Sequence, residues 1–195
     1  MIDKIYVLDD IIPGNYQELI KESLFDTLNH PWFLKRSLSE STTGNLNPAF
    51  TQAPGLANVF FNEEGILHNQ IYNLFLPVVL TACEKINFKF NSLVYGRSFL
   101  QFPLTTHQGI TNPHVDIPIP HLVCLYYVMD SDGETVFFNK MDDPPGSPRP
   151  SFDNYEIANK VEPKQGRIVL FNGSVYHANT LPKNNMRCVI NCNVI

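Results

Sequence analysis

Residues 122–138 read LVCLYYVMDSDGETVFF, which is two apolar runs separated by a polar turn. The first run is rich in Val and Tyr and the second in Thr, Val and Phe, as is common in β-strands. Asp130-Ser131-Asp132-Gly133 between them combines the residue types that favour tight turns. The stretch therefore predicts two neighbouring strands, over Leu122–Met129 and Thr135–Asn139.

Further β-like runs lie on both sides of this stretch, each bounded by turn residues. They are Leu93–Phe102, Ile157–Val161, Arg167–Phe171 and Arg187–Val194. Several short strands in one block indicate a sandwich or barrel. We therefore expect residues 91–195 to form a β core.

The first ninety residues have a different character, because apolar residues recur there at helical spacing. This spacing predicts helices over Pro13–Asn29 and Glu63–Asn87, with Pro77 kinking or dividing the second. We find neither an internal repeat nor a linker. The prediction is one domain over residues 1–195, mainly β, in which residues 1–90 form a helical support layer.

The composition excludes several classes of protein. The chain has 195 residues, 44% of them hydrophobic, and a net charge of −5, which argues against a general nucleic-acid binder. It contains no apolar run long enough for a membrane span and no basic start typical of a secretion signal. The four cysteines form no CxxC pair, so we expect buried free thiols and a reducing cytoplasm. They are Cys83, Cys124, Cys188 and Cys192.

His114-Val115-Asp116 is a candidate metal-binding motif. In a strand, alternate side chains point to the same face, so the imidazole and the carboxylate would be neighbouring ligands. His177 follows the strand that ends at Phe171 and could supply the third ligand. Two histidines and one carboxylate form a facial triad, which leaves metal positions open for small molecules and suits iron(II).

Arg187 lies ten residues after His177, at the start of the last predicted strand, which we expect beside the segment carrying His177. A guanidinium can hold a carboxylate through two hydrogen bonds. A buried arginine without an acidic partner is costly, so a ligand would have to supply the negative charge. A dicarboxylate could chelate the metal at one end and meet Arg187 at the other.

These segments resemble, in order and spacing, the iron(II)- and 2-oxoglutarate-dependent oxygenases of the prolyl-4-hydroxylase-like branch. The resemblance covers about residues 90 to 195. It rests on His114-Val115-Asp116, on the strand with Tyr126-Tyr127, on Gly133-Glu134-Thr135-Val136-Phe137, on Pro163-Lys164-Gln165-Gly166, and on His177 and Arg187. Residues 130–138 and 177–179 are also similar to phage-encoded members, which implies the cytoplasm of a host cell.

The resemblance implies a fold, a cofactor set and residue roles. The fold is a double-stranded β-helix, a cupin-like jelly roll. Iron(II) is bound by His114, Asp116 and His177, and the distal carboxylate of 2-oxoglutarate is bound by Arg187 and Tyr127. O₂ is the second co-substrate, and ascorbate is a candidate reductant. Where the family has a pocket tyrosine followed by proline, this chain has Phe102-Pro103.

The implied activity is hydroxylation of a C–H bond with release of succinate and CO₂. The branch suggests a peptidyl, prolyl-like substrate, but fold and branch do not fix the substrate. An oxygenase of a free amino acid or other small molecule, and a non-catalytic metal-binding module, remain alternatives. Residues 37–58 and 142–154, rich in polar residues and proline, are expected to border the pocket as mobile loops.

Four other histidines could be mistaken for ligands. His107 and His121 flank the motif, and His121 is expected at the pocket rim. His30 and His68 fall in the helical half and are expected at the surface or at a helix terminus.

Overall fold

The computed structural model describes residues 4–26, 30–38, 50–142, 144, 146 and 155–195. The described part contains two helices, α1 (Gly14–Phe25) and α2 (Asn69–Lys85). Its strands are β1 (Tyr6–Leu8), β2 (Phe33–Lys35), β3 (Gly55–Asn62), β4 (Gly65–Ile66), β5 (Leu93–Gln101), β6 (Leu122–Tyr127), β7 (Thr135–Met141), β8 (Ile157–Val161), β9 (Ile168–Asn172), β10 (Val175–Asn179) and β11 (Arg187–Val194).

These strands form two antiparallel sheets. The larger has eight strands in the order β1-β9-β6-β11-β5-β3-β2, with β4 paired to β3. The smaller has three strands in the order β10-β7-β8. The chain crosses repeatedly between the two sheets, and the result is the double-stranded β-helix, or jelly roll, expected from the sequence.

The central strands of the large sheet are buried on both faces, as β6 illustrates. Val123, Leu125 and Tyr127 pack into a core between the two sheets, together with Phe137 of the small sheet. The alternate side chains of β6, which include Tyr126, pack into a second core beneath the helices. Burial on both faces explains why the β6 sequence is continuously apolar rather than alternating.

The helices cover the outer face of the large sheet. Ile20 and Leu24 of α1 and Phe75 and Val79 of α2 are buried in the second core. Pro77 lies inside α2 without dividing it. Helix α1 ends at Phe25, four residues before the predicted end, and residues 27–29 lie outside the described part.

The predicted start of α2 was wrong, because a hairpin replaces its first turn. Asn62 Oδ1 accepts a hydrogen bond from the backbone N–H of Glu64 at 2.9 Å, and Gly65 has φ of +102°. Positive φ favours glycine in tight turns. The chain therefore reverses after β3 and enters the helix only at Asn69.

The first ninety residues do more than support the β core, because they add β1, β2, β3 and β4 to the large sheet. The loop predicted over residues 37–58 in fact ends where β3 begins at Gly55. A Cβ at Gly55 would lie 2.9 Å from the carbonyl oxygen of Leu100, so glycine permits β3 to approach β5 closely. Residues 39–49 of that loop lie outside the described part.

The four cysteines are free and buried, as the sequence indicated. His30, however, is not a surface residue. It is only 2% exposed, and its Nε2 shares a 2.9 Å hydrogen bond with Ser98 Oγ of β5. His68 lies at the N-cap position of α2. No helix in the described ranges has the length and apolarity needed to cross a bilayer.

Candidate metal and dicarboxylate site

His114, Asp116 and His177 come together at one end of the space between the sheets. Their candidate ligand atoms all lie within 4.8 Å of one another, and they are the only such group among the described residues. His114 Nε2 is 4.0 Å from Asp116 Oδ1, and His177 Nε2 is 4.0 Å from Asp116 Oδ2. The three side chains can therefore converge on one small ion.

Backbone pairing holds the two histidines opposite each other. The N–H of His114 donates to the carbonyl of His177 at 2.9 Å, and the N–H of His177 donates back at 3.0 Å. The segment around His114 is an isolated bridge rather than the strand we expected. It nevertheless directs His114 and Asp116 to the same side.

Each histidine is oriented by a carbonyl of its own segment. The Nδ1 of His114 is 3.0 Å from the carbonyl oxygen of Asn112, and the Nδ1 of His177 is 3.0 Å from that of Val175. Since a carbonyl only accepts, Nδ1 carries the proton and Nε2 keeps its lone pair. This tautomer is the one that a metal ligand needs.

The carboxylate of Asp116 accepts hydrogen bonds from three side chains. Arg97 Nη2 donates to its Oδ1 at 2.7 Å, while Asn191 Nδ2 and Asn193 Nδ2 donate to its Oδ2 at 3.1 Å and 2.9 Å. Burial alone would raise the pKa of Asp116, but Arg97 and the two histidines outweigh burial and hold that pKa well below its usual range. The carboxylate is thus ionised and fixed in orientation.

His177 is ready to bind a metal at neutral pH. Burial, together with the neighbouring His114, lowers the pKa of His177 to about 4. A proton therefore does not compete with a metal for its Nε2 under physiological conditions.

Arg187 lies on β11 and is 5% exposed. Its Nε donates to the carbonyl of Gly133 at 2.9 Å, and its Nη2 donates to Thr135 Oγ1 at 3.0 Å. The Nη1 is 3.4 Å from Gln101 Oε1. No carboxylate among the described residues forms an ion pair with this buried guanidinium, and burial lowers its pKa.

The expectation that the last strand lies beside the segment carrying His177 was wrong. Strand β11 pairs with β5 and β6 in the large sheet, whereas β10, which carries His177, pairs with β7 in the small sheet. Arg187 and His177 therefore approach the same space from opposite sheets. The pocket is formed between the sheets rather than along one of them.

Tyr127 lies next to Arg187, behind the pocket wall. Its ring centroid is 5.8 Å from the Arg187 guanidinium carbon, and its hydroxyl donates to Thr135 Oγ1 at 2.6 Å. Burial raises the pKa of Tyr127. Tyr126 faces the opposite way and packs against Phe75 beneath the helices, so the two tyrosines occupy different cores.

One cavity of about 700 Å³ joins the triad to Arg187. Its walls include Thr135 and Gln101 near Arg187, and Leu38 and Asp142 at the edges of the two predicted loops. The described ends of residues 37–58 and 142–154 thus border the cavity, as expected. Of the second segment, residues 143, 145 and 147–154 lie outside the described part.

Several residues of this site were missed in the sequence. Arg97, Asn191 and Asn193 belong to no motif, and the register of β5 beside β11 gathers them by placing Asn191 opposite Arg97. Thr135 stood within the quoted motif but was given no role. Phe102, at the place of the family's pocket tyrosine, is 38% exposed and is not part of the cavity wall, where Gln101 lies instead.

The other histidines are outside the triad. His121 is 2% exposed, so it is not at the rim, and its Nδ1 is 2.7 Å from the carbonyl oxygen of Ile119. A Cβ at Gly173 would overlap its ring, which explains glycine in the turn before β10. His107 also lies outside the metal-competent group.

Solved structures similar to this one include 2-oxoglutarate- and iron(II)-dependent oxygenases. A Burkholderia pseudomallei oxidoreductase of the 2OG-Fe(II) oxygenase family matches with a TM-score of 0.65 and 9% identity, over 97% of this chain and 84% of that chain. The fold is that of the 2-oxoglutarate- and iron(II)-dependent oxygenases. No family model matches the sequence, and no curated protein sequence matches it.

Other structures with the oxygenase fold act on different kinds of molecule. A Trichoplax adhaerens prolyl hydroxylase in complex with a peptide fragment matches with a TM-score of 0.59 and 11% identity, over 98% of this chain and 83% of that chain. The non-heme α-ketoglutarate-dependent epimerase SnoN of nogalamycin biosynthesis matches with a TM-score of 0.64 and 10% identity, over 98% of this chain and 78% of that chain. At these identities the similarity establishes the fold alone.

Proposed function

We propose that this protein is an iron(II)- and 2-oxoglutarate-dependent dioxygenase that hydroxylates a C–H bond of an organic substrate. The observation that carries the proposal is the pairing, in one cavity, of a His-Asp-His triad with a buried arginine that has no acidic partner among the described residues. A structural metal site needs no such arginine. A co-substrate with a carboxylate at each end needs both the metal triad, which binds one end, and the arginine, which binds the other.

The donor set fits iron(II). Two imidazole nitrogens and one carboxylate oxygen are the ligands of the facial triad in non-heme iron oxygenases, and this set leaves sites for further ligands. In the proposal His114, Asp116 and His177 hold the iron. The Nδ1 contacts of both histidines already direct their Nε2 atoms toward the Asp116 carboxylate.

The co-substrate site would lie at the Arg187 end of the cavity. Arg187 would bind the distal carboxylate of 2-oxoglutarate, with Thr135 and Gln101 beside it. Tyr127 would hold Thr135 in place through its hydroxyl and stack near the guanidinium. Bound iron and 2-oxoglutarate would supply the oxidising chemistry, in which O₂ converts C–H to C–OH while 2-oxoglutarate becomes succinate and CO₂.

The role of the protein is to orient these groups and to exclude water. Asn191, Asn193 and Arg97 fix the Asp116 carboxylate, and the apolar core between the sheets closes the cavity from below. A peptidyl substrate is expected from the prolyl-hydroxylase resemblance and from the peptide-bound neighbour. A free small molecule is the alternative, and the charges of the cavity favour it, as argued below.

The test is succinate formation from 2-oxoglutarate by iron(II)-loaded protein, measured alongside manganese(II) and 2-oxoglutarate binding under anaerobic conditions. We expect one metal site, metal-dependent 2-oxoglutarate binding and slow succinate release without added substrate. His177→Ala should abolish all three, whereas His107→Ala, which changes a histidine outside the triad, should not. Metal binding without 2-oxoglutarate binding would indicate a non-catalytic metal-binding module instead.

A further inference from the structure

Two charged side chains in the cavity wall have unused hydrogen-bonding capacity. Arg97 Nε and Asp142 Oδ1 are the only atoms of charged side chains, within the described ranges, that are buried without a partner. Both residues line the cavity that holds the triad. Arg97 is already paired with Asp116, but a buried polar atom without a hydrogen-bond partner is costly, so these two atoms indicate a ligand that supplies the missing partners.

Arg97 is held in place by its neighbours, but only one of its three nitrogens donates hydrogen bonds to the described residues. Its guanidinium carbon lies 4.8 Å from the ring centroid of Tyr95 and 5.4 Å from that of Phe99. Its Nη2 donates to Asp116 and lies 3.4 Å from Asn193 Oδ1. Nε is buried and makes no hydrogen bond, and both hydrogen bonds of the guanidinium to described residues start at Nη2. The Nε donor can receive a carboxylate.

Binding of the proposed metal and co-substrate would leave Arg97 without a full counter-charge. The two charges of the metal and that of Arg187 are matched by Asp116 and by the two carboxylates of 2-oxoglutarate. Asp116, shared with the metal, then no longer neutralises Arg97. Asp142 in the same cavity carries the remaining negative charge, so a substrate with one carboxylate and one ammonium group would pair with both side chains and keep the charges balanced.

Asp142 offers the opposite charge in the same cavity. It is 4% exposed, its Oδ2 accepts a 2.7 Å hydrogen bond from the backbone N–H of Gly146, and its own N–H donates to the carbonyl of Ser174. Oδ1 is left without a partner. An ammonium group has three donors and no acceptor, and it would satisfy this oxygen.

We infer that the substrate is a free amino acid or a close amino-acid derivative, with its carboxylate bound by Arg97 and its ammonium group bound by Asp142. The inference rests on the proposed function, because it assigns the substrate of the same site. It replaces the peptidyl substrate suggested by the resemblance, since a residue inside a peptide has neither a free α-carboxylate nor a free α-ammonium group.

The experiment is calorimetric titration of the twenty proteinogenic L-amino acids into anaerobic protein saturated with manganese(II) and 2-oxoglutarate. Each amino acid that binds is compared with its methyl ester, its N-acetyl form and its N-acetyl amide. We expect at least one amino acid to bind, and each blocked end to weaken binding by about tenfold or more, as for loss of a charge-assisted contact.

Two variants assign the contacts. In Arg97→Gln the ester should bind as well as the acid, and in Asp142→Asn the N-acetyl form should bind as well as the amine, because the lost partner makes blocking inconsequential. Lys35→Gln, which removes an exposed cation of the cavity wall, is the matched control and should keep the full discrimination.

The outcomes separate this inference from the proposed function. If 2-oxoglutarate binds but no amino acid does, or if the N-acetyl amides bind as tightly as the free amino acids, the inference is wrong and the oxygenase proposal stands. If Arg97→Gln weakens 2-oxoglutarate and leaves amino acid discrimination intact, Arg97 serves the co-substrate and the inference is wrong. If neither manganese(II) nor 2-oxoglutarate binds, both fail.

Discussion

His114 and His177 exchange both of their backbone hydrogen bonds, at 2.9 Å and 3.0 Å, although they belong to distant segments of the chain. The two candidate ligands are therefore positioned by main-chain pairing before any metal arrives. Preorganisation of this kind reduces the cost of binding, because the ligands do not have to be ordered by the metal.

Removal of a triad ligand should abolish metal binding without unfolding the protein. Asp116→Ala and His177→Ala each delete one of three ligands, so manganese(II) affinity should fall by at least about a hundredfold, more than for loss of a supporting residue. The β cores are formed by other side chains, and circular dichroism should show native secondary structure. Unchanged metal stoichiometry in both variants would contradict the assignment.

The asparagines beside Asp116 should tune the metal site. Asn193 is fully buried and donates to Asp116 Oδ2 at 2.9 Å. Asn193→Ala should weaken metal binding by about 10–100-fold, the range for residues that orient a ligand. The measurement is a manganese(II) titration, with Asn159→Ala on the exposed strand β8 as the control. If Asn193→Ala and Asn159→Ala bound manganese(II) equally well, Asn193 would have no role in orienting Asp116.

Arg187 should separate co-substrate binding from metal binding. Removing one partner of a buried charge pair costs a few kcal/mol, so Arg187→Ala should weaken 2-oxoglutarate by about a hundredfold or more. Arg187→Lys keeps the charge but loses the planar fork, and it should give a smaller loss. Tyr127→Phe should weaken 2-oxoglutarate binding by about 1 kcal/mol, because the hydrogen bond that positions Thr135 is lost. Calorimetry on manganese-loaded protein would also show whether metal affinity stays constant, as we expect.

Gly133 should be required for the placement of Arg187. A Cβ at Gly133 would lie 2.9 Å from Arg187 Cδ and 3.1 Å from the carbonyl oxygen of Thr180, which is closer than ordinary packing. Gly133→Ala should therefore displace the arginine and weaken 2-oxoglutarate while manganese(II) binding is retained. Gly14→Ala, where a Cβ meets no atom within 4 Å, is the matched control. Wild-type 2-oxoglutarate affinity in Gly133→Ala would contradict this account.

His30 should make the stability of the protein depend on pH. Burial, with repulsion from His68, lowers the pKa of His30 to about 4 from an ordinary 6.5. Below pH 6.5 the unfolded chain takes up a proton that the folded state refuses, so stability falls as pH decreases from 6.5 toward 4. Between pH 7 and pH 5, His30 should lower the free energy of unfolding by about 2 kcal/mol.

Urea unfolding of the metal-free protein at these two pH values tests the prediction. His30→Gln should reduce the difference in unfolding free energy between pH 7 and pH 5 by that amount. A variant whose pH dependence parallels that of the wild type would show that His30 is not responsible.

The sequence predicted the C-terminal half of the molecule well, because its strands are short apolar runs separated by turn residues. The bounds of β8 and β11 agree with the prediction to the residue. The two edge strands of the large sheet, β1 and β2, were missed for a physical reason. Edge strands such as β2 are three residues long and exposed, and they acquire their structure from pairing with β3 rather than from local preference.

The site shows the same division. Motif residues such as His114 and Arg187 could be found because their chemistry requires particular residue types at particular spacings. Arg97 and Asn193 could not, since their roles depend on the register in which β5 and β11 pair. Register is fixed by long-range packing, which a single sequence does not reveal.

Strand β11 sets the distance between the two ends of the cavity, because Arg187 and Asn191 both lie on it. Arg187, Asn191 and Asn193 point to the same face, because alternate residues of a strand do so. At about 3.3 Å per residue, the Cα atoms of Arg187 and Asn191 are about 13 Å apart. An arginine that is to stay on this face can move only by two residues, which is a step of about 7 Å. With Arg187 as the proposed anchor, moving the arginine along this strand would therefore change the length of the accepted dicarboxylate only in coarse, discrete steps, and no such step matches a diacid one carbon longer or shorter.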